Sequence, residues 1–281
     1  MLNYRPIGDV WVDTAKTLFD PPRGLKLPWW PKFTSLLGGL RPHELTLICA
    51  PTGAGKTQLL ANIAVQLSFQ RVPLFVAPVE TGDTDFVTRM LSAAELYDLN
   101  TGEPQREGLL LTLGQKYRET IFGQKTFIAT YDNRVAIEDM VNLLLYMHQT
   151  YGVQVAVLDN LNFFLKVVSA QMERAEMDSA VHELVMLVKK LPMHVMLVVH
   201  PKKTEGGRVE SEFDIKGSST AVQESANVLL FNRPSKDHME SDRALITDRE
   251  LVFRKIRRRG VGVGVPVWLS FREGRYEELK R

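Results

Sequence analysis

The residues Ala50-Pro51-Thr52-Gly53-Ala54-Gly55-Lys56-Thr57 hold the clearest chemistry in the chain. They follow the phosphate-loop pattern G-x-x-x-x-G-K-[ST] at every position but the first, where Ala stands for Gly. Gly53 and Gly55 let backbone N–H groups curl around a phosphate at a helix N-terminus. Lys56 has the reach to meet the β- and γ-phosphates, and the Thr57 hydroxyl suits Mg²⁺. With Gln58 beside them, these residues form the expected nucleotide-binding run for ATP or another nucleoside triphosphate with Mg²⁺.

Two carboxylates extend this chemistry. Val155-Ala156-Val157-Leu158-Asp159 is an apolar run ending in an acid, the Walker B arrangement, and Asp159 is expected to share the metal with Thr57. Glu80 ends another apolar run, Leu74–Val79, where a carboxylate can orient or deprotonate the water that attacks a γ-phosphate. Each acid also has a plainer reading. Asp159 with Asn160 fits a strand-ending turn, and Glu80 fits a solvated residue ahead of a helix starting at Thr84.

Such residues need a sheet to hold them. Short apolar runs occur at Leu45–Cys49, Leu74–Val79, Thr126–Ala129, Val153–Leu158, His194–Val199 and Val228–Phe231, as expected of strands covered on both faces. Helical periodicity fills the gaps at Thr57–Ser68, Thr84–Leu96, Val135–Thr150 and Gln171–Leu191. This alternation predicts an α/β fold with a mainly parallel sheet between two helical layers. Leu251–Tyr276, with Gly260, Gly262 and Gly264 at a turn, reads as antiparallel strands added to one edge. Residues 1–40, punctuated by Pro6, Pro21, Pro22, Pro28 and Pro31, read as an irregular arm with a short helix near Asp13–Phe19. Residues 41–281 read as one ATPase domain.

Composition narrows the classes further. Hydrophobic residues at 44% and charged residues at 24% match folded domains, which argues against wholesale disorder. The single cysteine, Cys49, excludes an internal disulfide and any zinc site built on paired cysteines, and it suits a reducing compartment. No apolar run approaches the roughly 20 residues of a membrane-spanning helix, and the N-terminus lacks the pattern of a signal peptide. Net charge is only +2, but residues 201–281 hold 17 Lys/Arg against 13 Asp/Glu, which points a polyanion partner towards the C-terminal part.

The order of features beyond the phosphate loop resembles the DnaB-like replicative helicase motor, a RecA-like domain, with the closest likeness to the Twinkle and phage primase-helicase branch. The likeness rests on Gly38-Gly39-Leu40-Arg41 and Glu44-Leu45-Thr46 before the loop, then Glu80, Asp159-Asn160 and a strand ending at His200. It continues through Asp214-Ile215-Lys216-Gly217-Ser218, Gln223, Asn227-Val228-Leu229-Leu230 and Lys255-Ile256-Arg257, and spans nearly all of residues 32–281. The resemblance implies a γ-phosphate sensor at His200 and an Arg stacked on adenine at Arg233. It also implies that Lys255 and Arg257 reach a neighbouring subunit's γ-phosphate, with Arg257 as the finger. Alternation on a strand does put those two cations on one face, although Arg258 and Arg259 also permit a simple basic strand.

The resemblance further implies that Lys202, Lys203, Arg208, Lys216, Gly217 and Ser218 line a channel and grip single-stranded DNA by its backbone. A second channel loop is expected around Leu161–Arg174, with Lys166 and Arg174. The implied protein is an ATP-dependent, ring-forming DNA helicase, a hexamer working beside primase, polymerase or a loader. Its place would be a bacterial or phage-infected cytoplasm, or the mitochondrial matrix. Trp29, Trp30 and Phe33 are expected to anchor the arm on a neighbour. Two other classes remain open from sequence: a RecA-like recombinase or mediator, separable by unwinding of a fork, and a regulatory ATPase, separable by its indifference to single-stranded DNA.

Overall fold

The structure is a computed structural model that describes residues 5–19, 23–99, 107–130, 135–165, 170–202, 208–216, 219–240, 245–258 and 262–280. The strands are β1 (Glu44–Cys49), β2 (Leu74–Pro78), β3 (Thr126–Ile128), β4 (Val155–Asp159), β5 (His194–Val199), β6 (Asn227–Asn232), β7 (Arg249–Ile256), β8 (Pro266–Arg272) and β9 (Arg275–Glu278). The helices are α1 (Ile7–Phe19), α2 (Pro31–Leu37), α3 (Lys56–Phe69), α4 (Asp83–Glu95), α5 (Glu107–Lys116), α6 (Ile137–Tyr151), α7 (Ala170–Lys190), α8 (Ser219–Glu224) and α9 (Lys236–Glu240).

The strands form one sheet in the order β3-β2-β4-β5-β1-β6-β7-β8-β9. From β3 to β6 all pairings are parallel, and from β6 to β9 they are antiparallel, as the two sequence patterns predicted. Along β1 the side chains alternate between layers: Leu45, Leu47 and Cys49 pack with α6 and α7, while Ile48 packs with α3 and α4. Both layers are apolar, so β1, β2, β4, β5 and β6 are buried along their whole length, while β3 at the edge of the sheet is half-buried. Among the described residues no helix is long and apolar enough to cross a membrane.

β4 begins and ends later than the apolar run Val153–Leu158 predicted. Gly152 caps α6 in the left-handed region (φ 67°), so Val153 is used in the turn. At the other end Asp159 still pairs with Pro78 of β2. α1 also starts earlier than expected, at Ile7, and exposes Ile7 (89%), Trp11 (62%) and Leu18 (69%). Neither α5 nor α9 was anticipated, because Glu107–Lys116 and Lys236–Glu240 are short segments without a buried stripe long enough to read.

The proline-rich lead is the main correction. Trp30 and Phe33 do not wait for a neighbour: they are 0% and 1% exposed in this chain's own core. Trp30 donates its indole N–H to the Tyr276 carbonyl at 2.8 Å. Pro31 opens α2, and the Glu278 carboxylate of β9 accepts the next two N–H groups, those of Lys32 (2.8 Å) and Phe33 (3.0 Å). Trp29 donates its backbone N–H to Gln66 and lies under the Arg275 guanidinium, 4.3 Å from the ring centre. Gly38 then ends α2 at φ 78°, which explains the Gly38-Gly39 pair ahead of β1.

α3 is buried on every side from Lys56 to Ser68, so its polar residues need internal partners. Gln58, Asn62, Gln66 and Gln70 recur every four residues and supply them. Gln58 and Asn62 both donate to the Gly274 carbonyl (2.6 and 3.0 Å), Asn62 accepts the Tyr276 N–H (2.8 Å), and Gln70 donates to Lys26 (2.9 Å). This amide row joins the phosphate-loop helix to β9 and to the lead. Trp30→Ala removes a fully buried ring and should cost about 3–5 kcal/mol, read as a fall in the urea unfolding midpoint. An unchanged midpoint would mean that the lead is not part of this core.

Candidate functional site

The ends of β1, β2, β4 and β5 meet at one edge of the sheet, and the predicted residues of the nucleotide pocket converge there. Gly53 (φ 73°) and Gly55 (φ 94°) turn the chain out of β1 and into α3. A Cβ at Gly55 would run into the Tyr276 hydroxyl, so only glycine fits. Thr57, in the first turn of α3, donates to Oδ2 of Asp159 at 2.8 Å. The Asp159 carbonyl accepts the N–H groups of Val79 (2.9 Å) and Glu80 (3.2 Å), which fixes the end of β2 beside β4.

Glu80 then faces the loop. Its Oε2 is 2.7 Å from Lys56 Nζ and accepts a hydrogen bond from the Asn160 amide at 2.5 Å. The same amide nitrogen lies 3.0 Å from His200 Nε2 at the end of β5. Lys56, Glu80, Asn160 and His200 therefore form one chain of polar contacts. Asn160 had no assigned role in the sequence, and the only hint was an amide directly following the Walker B acid.

The charges follow from these contacts. Partial burial works to raise the Glu80 carboxyl, but the hydrogen bond and charge of Lys56, helped by Asn160, hold it below the usual carboxylate range. Burial and the Lys56 charge push His200 down, so its imidazole is neutral at neutral pH. Asp159 is 0% exposed, and burial pushes its carboxyl up to about 6 despite the Thr57 bond and the Lys56 charge. Its Oδ1 is buried with no hydrogen-bond partner. An unsatisfied buried carboxylate oxygen beside a threonine hydroxyl fits a hydrated Mg²⁺, which takes one or two protein oxygens and leaves the rest to water and phosphate.

The outer wall of the loop comes from the antiparallel strands. Arg233 donates through Nε (3.2 Å) and Nη2 (2.7 Å) to the Gly53 carbonyl. Arg249 donates to the Ala54 carbonyl at 2.5 Å, and Tyr276 lies behind Gly55. Arg249 and Tyr276 were missed in the sequence because they are 195 and 221 positions beyond Ala54 and Gly55, in segments without a motif. Ala50, Pro51 and Thr52 complete the loop as expected. Gln58 is placed otherwise: it is 6% exposed and bonded to Gly274, turned into the protein and not towards a nucleotide.

Lys255 and Arg257 lie away from this pocket. Lys255 Nζ donates to the carbonyls of Val222 (2.7 Å) and Gln223 (2.6 Å), and Arg257 donates to those of Gln223 (2.8 Å) and Glu224 (3.0 Å). They share a face, as the alternation predicted, and that face holds the C-terminal turn of α8. Lys202 donates to the Phe213 carbonyl at 2.7 Å, and the Lys216 N–H bonds the His200 carbonyl at 3.0 Å. Arg208 differs from expectation: its guanidinium pairs with the buried Glu250 carboxylate and donates to the Arg233 carbonyl, because a carboxylate on β7 needs a cation. Arg174 lies on α7 and not in a loop. Lys166, Lys203, Gly217, Ser218 and Arg259 lie outside the described residues.

Two consequences can be measured. The Asp159 carboxyl is raised in the folded chain, from 3.8 to about 6, so folding loses stability as pH climbs through that window and keeps the loss above it. Asp159→Asn should therefore raise the neutral-pH stability of the metal-free protein by up to about 3 kcal/mol. It should also flatten the stability profile between pH 4 and 6, measured by urea unfolding. Glu80→Gln should leave nucleotide affinity within about threefold while cutting hydrolysis by about 10²–10⁴. A parallel fall in both would make Glu80 a binding residue and not a base.

Comparisons with known proteins show the family and the fold. The family model described as the DnaB-like helicase C terminal domain matches residues 30–275. A solved ATPase domain superposes with a TM-score of 0.79 at 14% identity, covering 99% of this chain and 100% of its own. A DnaB-like replicative helicase, solved for its structure and its interactions with primase, gives a TM-score of 0.76 at 14% identity, covering 99% of this chain and 68% of that one. At that identity the two structures establish the fold alone, a RecA-like α/β domain. The family model is that of DnaB-like motors as a whole and does not single out the Twinkle branch.

Proposed function

Because this chain belongs to the DnaB-like helicase C-terminal domain family and its function is that of an ATP-dependent replicative helicase, we propose the following division of labour among its residues. ATP with Mg²⁺ binds on the phosphate loop of one subunit, within a ring of copies that encircles single-stranded DNA. Thr57 and Asp159 hold the metal, whose chemistry is to neutralise charge on the phosphates. Glu80 orients and deprotonates the attacking water. Lys255 and Arg257 reach the γ-phosphate from the adjacent subunit.

The observation that carries this reading is the polar chain Lys56–Glu80–Asn160–His200. It runs from the phosphate loop to the residue whose carbonyl anchors Lys216, at the root of the basic loop. While Lys56 rests on Glu80, the carboxylate is a weak base. A γ-phosphate that draws Lys56 away removes the contact that lowers Glu80, and its basicity rises when it is needed. Arg233 stays beside Gly53, where its guanidinium can lie against a nucleobase. The bare apolar face of α1, with Ile7, Trp11 and Leu18, supports association of copies in place of Trp30 and Phe33. Lys202 and Lys216, and with them Lys203, Gly217 and Ser218, face the DNA backbone in this reading, and primase, polymerase or a loader are the partners it implies.

Mass measurement in solution with Mg²⁺, a non-hydrolysable ATP analogue and an oligonucleotide tests the ring: a multiple of the single-chain mass is expected, together with stimulated hydrolysis. Arg257→Ala should keep nucleotide binding and lower stimulated hydrolysis by about 10³-fold or more. Mixing it with Lys56→Ala copies should restore part of the rate, because each supplies what its neighbour lacks. Mixtures no faster than either variant alone would exclude an arginine acting across the interface.

A further inference from the structure

Next to the polar chain stands a large apolar side chain that neither the core nor the ATP chemistry explains. Phe213 is 72% exposed, on the 3₁₀ turn Glu212–Asp214 between the end of β5 and α8. Leaving a phenyl ring in water forgoes the free energy its burial would give. Flexibility does not account for the exposure, because the turn is tightly mounted. Val209 is 1% exposed, and its backbone exchanges two hydrogen bonds with the Asn232 side chain, at 2.9 and 2.7 Å. Ile215, 3% exposed, pairs with Pro201, and the Lys202 N–H bonds the Asp214 carbonyl at 2.7 Å. Ser211 and Asp214 cap the turn reciprocally, and Asp214 Oδ2 accepts the N–H groups of Glu210 and Ser211 at 2.9 Å each.

We propose that Phe213 is a nucleobase platform: one base of the threaded strand stacks on its ring while the sugar-phosphate passes Lys202 and Lys216. This rests on the reading of the chain as a single-strand motor. Charge separates the two contacts. Glu212 and Asp214 adjoin Phe213 on the turn and disfavour a phosphate against the ring, while Lys202, whose ammonium bonds the Phe213 carbonyl, and Lys216 beside His200 supply the cations for the anionic backbone. The uncharged π-face of a base meets no such penalty. The backbone that carries the ring is already fixed by its mount, so stacking has only the side chain left to order. Every base has such a face, so the contact is tolerant of sequence while still needing bases. The loop thus takes hold of the strand twice, once by charge and once by stacking.

The test compares wild type, Phe213→Ala and Phe213→Trp on two probes of equal length, oligo(dT) and an oligomer of abasic sugar-phosphate, with Mg²⁺ and a non-hydrolysable ATP analogue present. Phe213→Ala should weaken oligo(dT) binding by about 5- to 150-fold, the range expected for one stacked base. Its affinity for the abasic probe should stay within about twofold, since charge contacts are untouched. Phe213→Trp should recover oligo(dT) affinity, and its fluorescence should be quenched by oligo(dT) and not by the abasic probe. Loss on both probes alike, no loss on either, or a change in assembly mass would overturn the proposal, the last two by showing a bystander ring or one packed on another copy. Failure of wild type to bind either probe would instead overturn the motor reading itself, before any variant is made.

Discussion

A single buried carboxylate organises the nucleotide site. Asp159 has no exposed surface, and its ionised form is disfavoured enough to lift its pKa to about 6. The fold tolerates it because the residue joins three elements: its side chain takes the Thr57 hydroxyl, and its carbonyl takes two N–H groups at the end of β2. It thereby ties the phosphate-loop helix and the end of β2 that carries Glu80 to one residue, alongside the direct contact of Lys56 with Glu80. The oxygen left without a partner is a local departure from full polar satisfaction of the kind that functional sites retain, and it is what the proposed metal role of this residue rests on.

The second constraint comes from the far end of the chain. The β8–β9 turn and β9 supply the Gly274 carbonyl to the amide row of α3, the Tyr276 hydroxyl behind Gly55, and the Glu278 carboxylate that caps α2. Arg249 and Arg233, near β7 and β6, reach two carbonyls of the phosphate loop. The antiparallel strands are therefore more than an edge decoration. They complete the wall on which the loop leans, so its conformation depends on residues more than 170 positions away.

Much of this was legible in the sequence, and for physical reasons. Strands buried on both faces are written as short apolar runs, and a phosphate loop specifies four of eight consecutive positions by residue type, so β1, β2, β4, β5 and α3 could be placed within a residue or two. Glu80 and Asp159 were readable because each ends such a run. What sequence could not show were contacts made across long separations. Trp30 looked like a spare aromatic in a proline-rich arm, yet its partner is 246 residues away. Arg208 looked like one more cation in a basic loop, and only the fold reveals the buried Glu250 it serves. Asn160 stood in a motif without a role and Arg249 in none, and their contacts come from where neighbouring strands end.

The way α8 is held has a mechanical meaning. Its last carbonyls are gripped by Lys255 and Arg257, and its first residue follows directly on the segment that carries Lys216. An arginine has one guanidinium and cannot serve a distant phosphate and these carbonyls at once. Were it to turn outward, the Gln223 and Glu224 carbonyls would lose its donors, while Lys255 would keep those of Val222 and Gln223. Holding α8 and serving the adjacent copy in the proposed ring are thus mutually exclusive tasks for this one side chain.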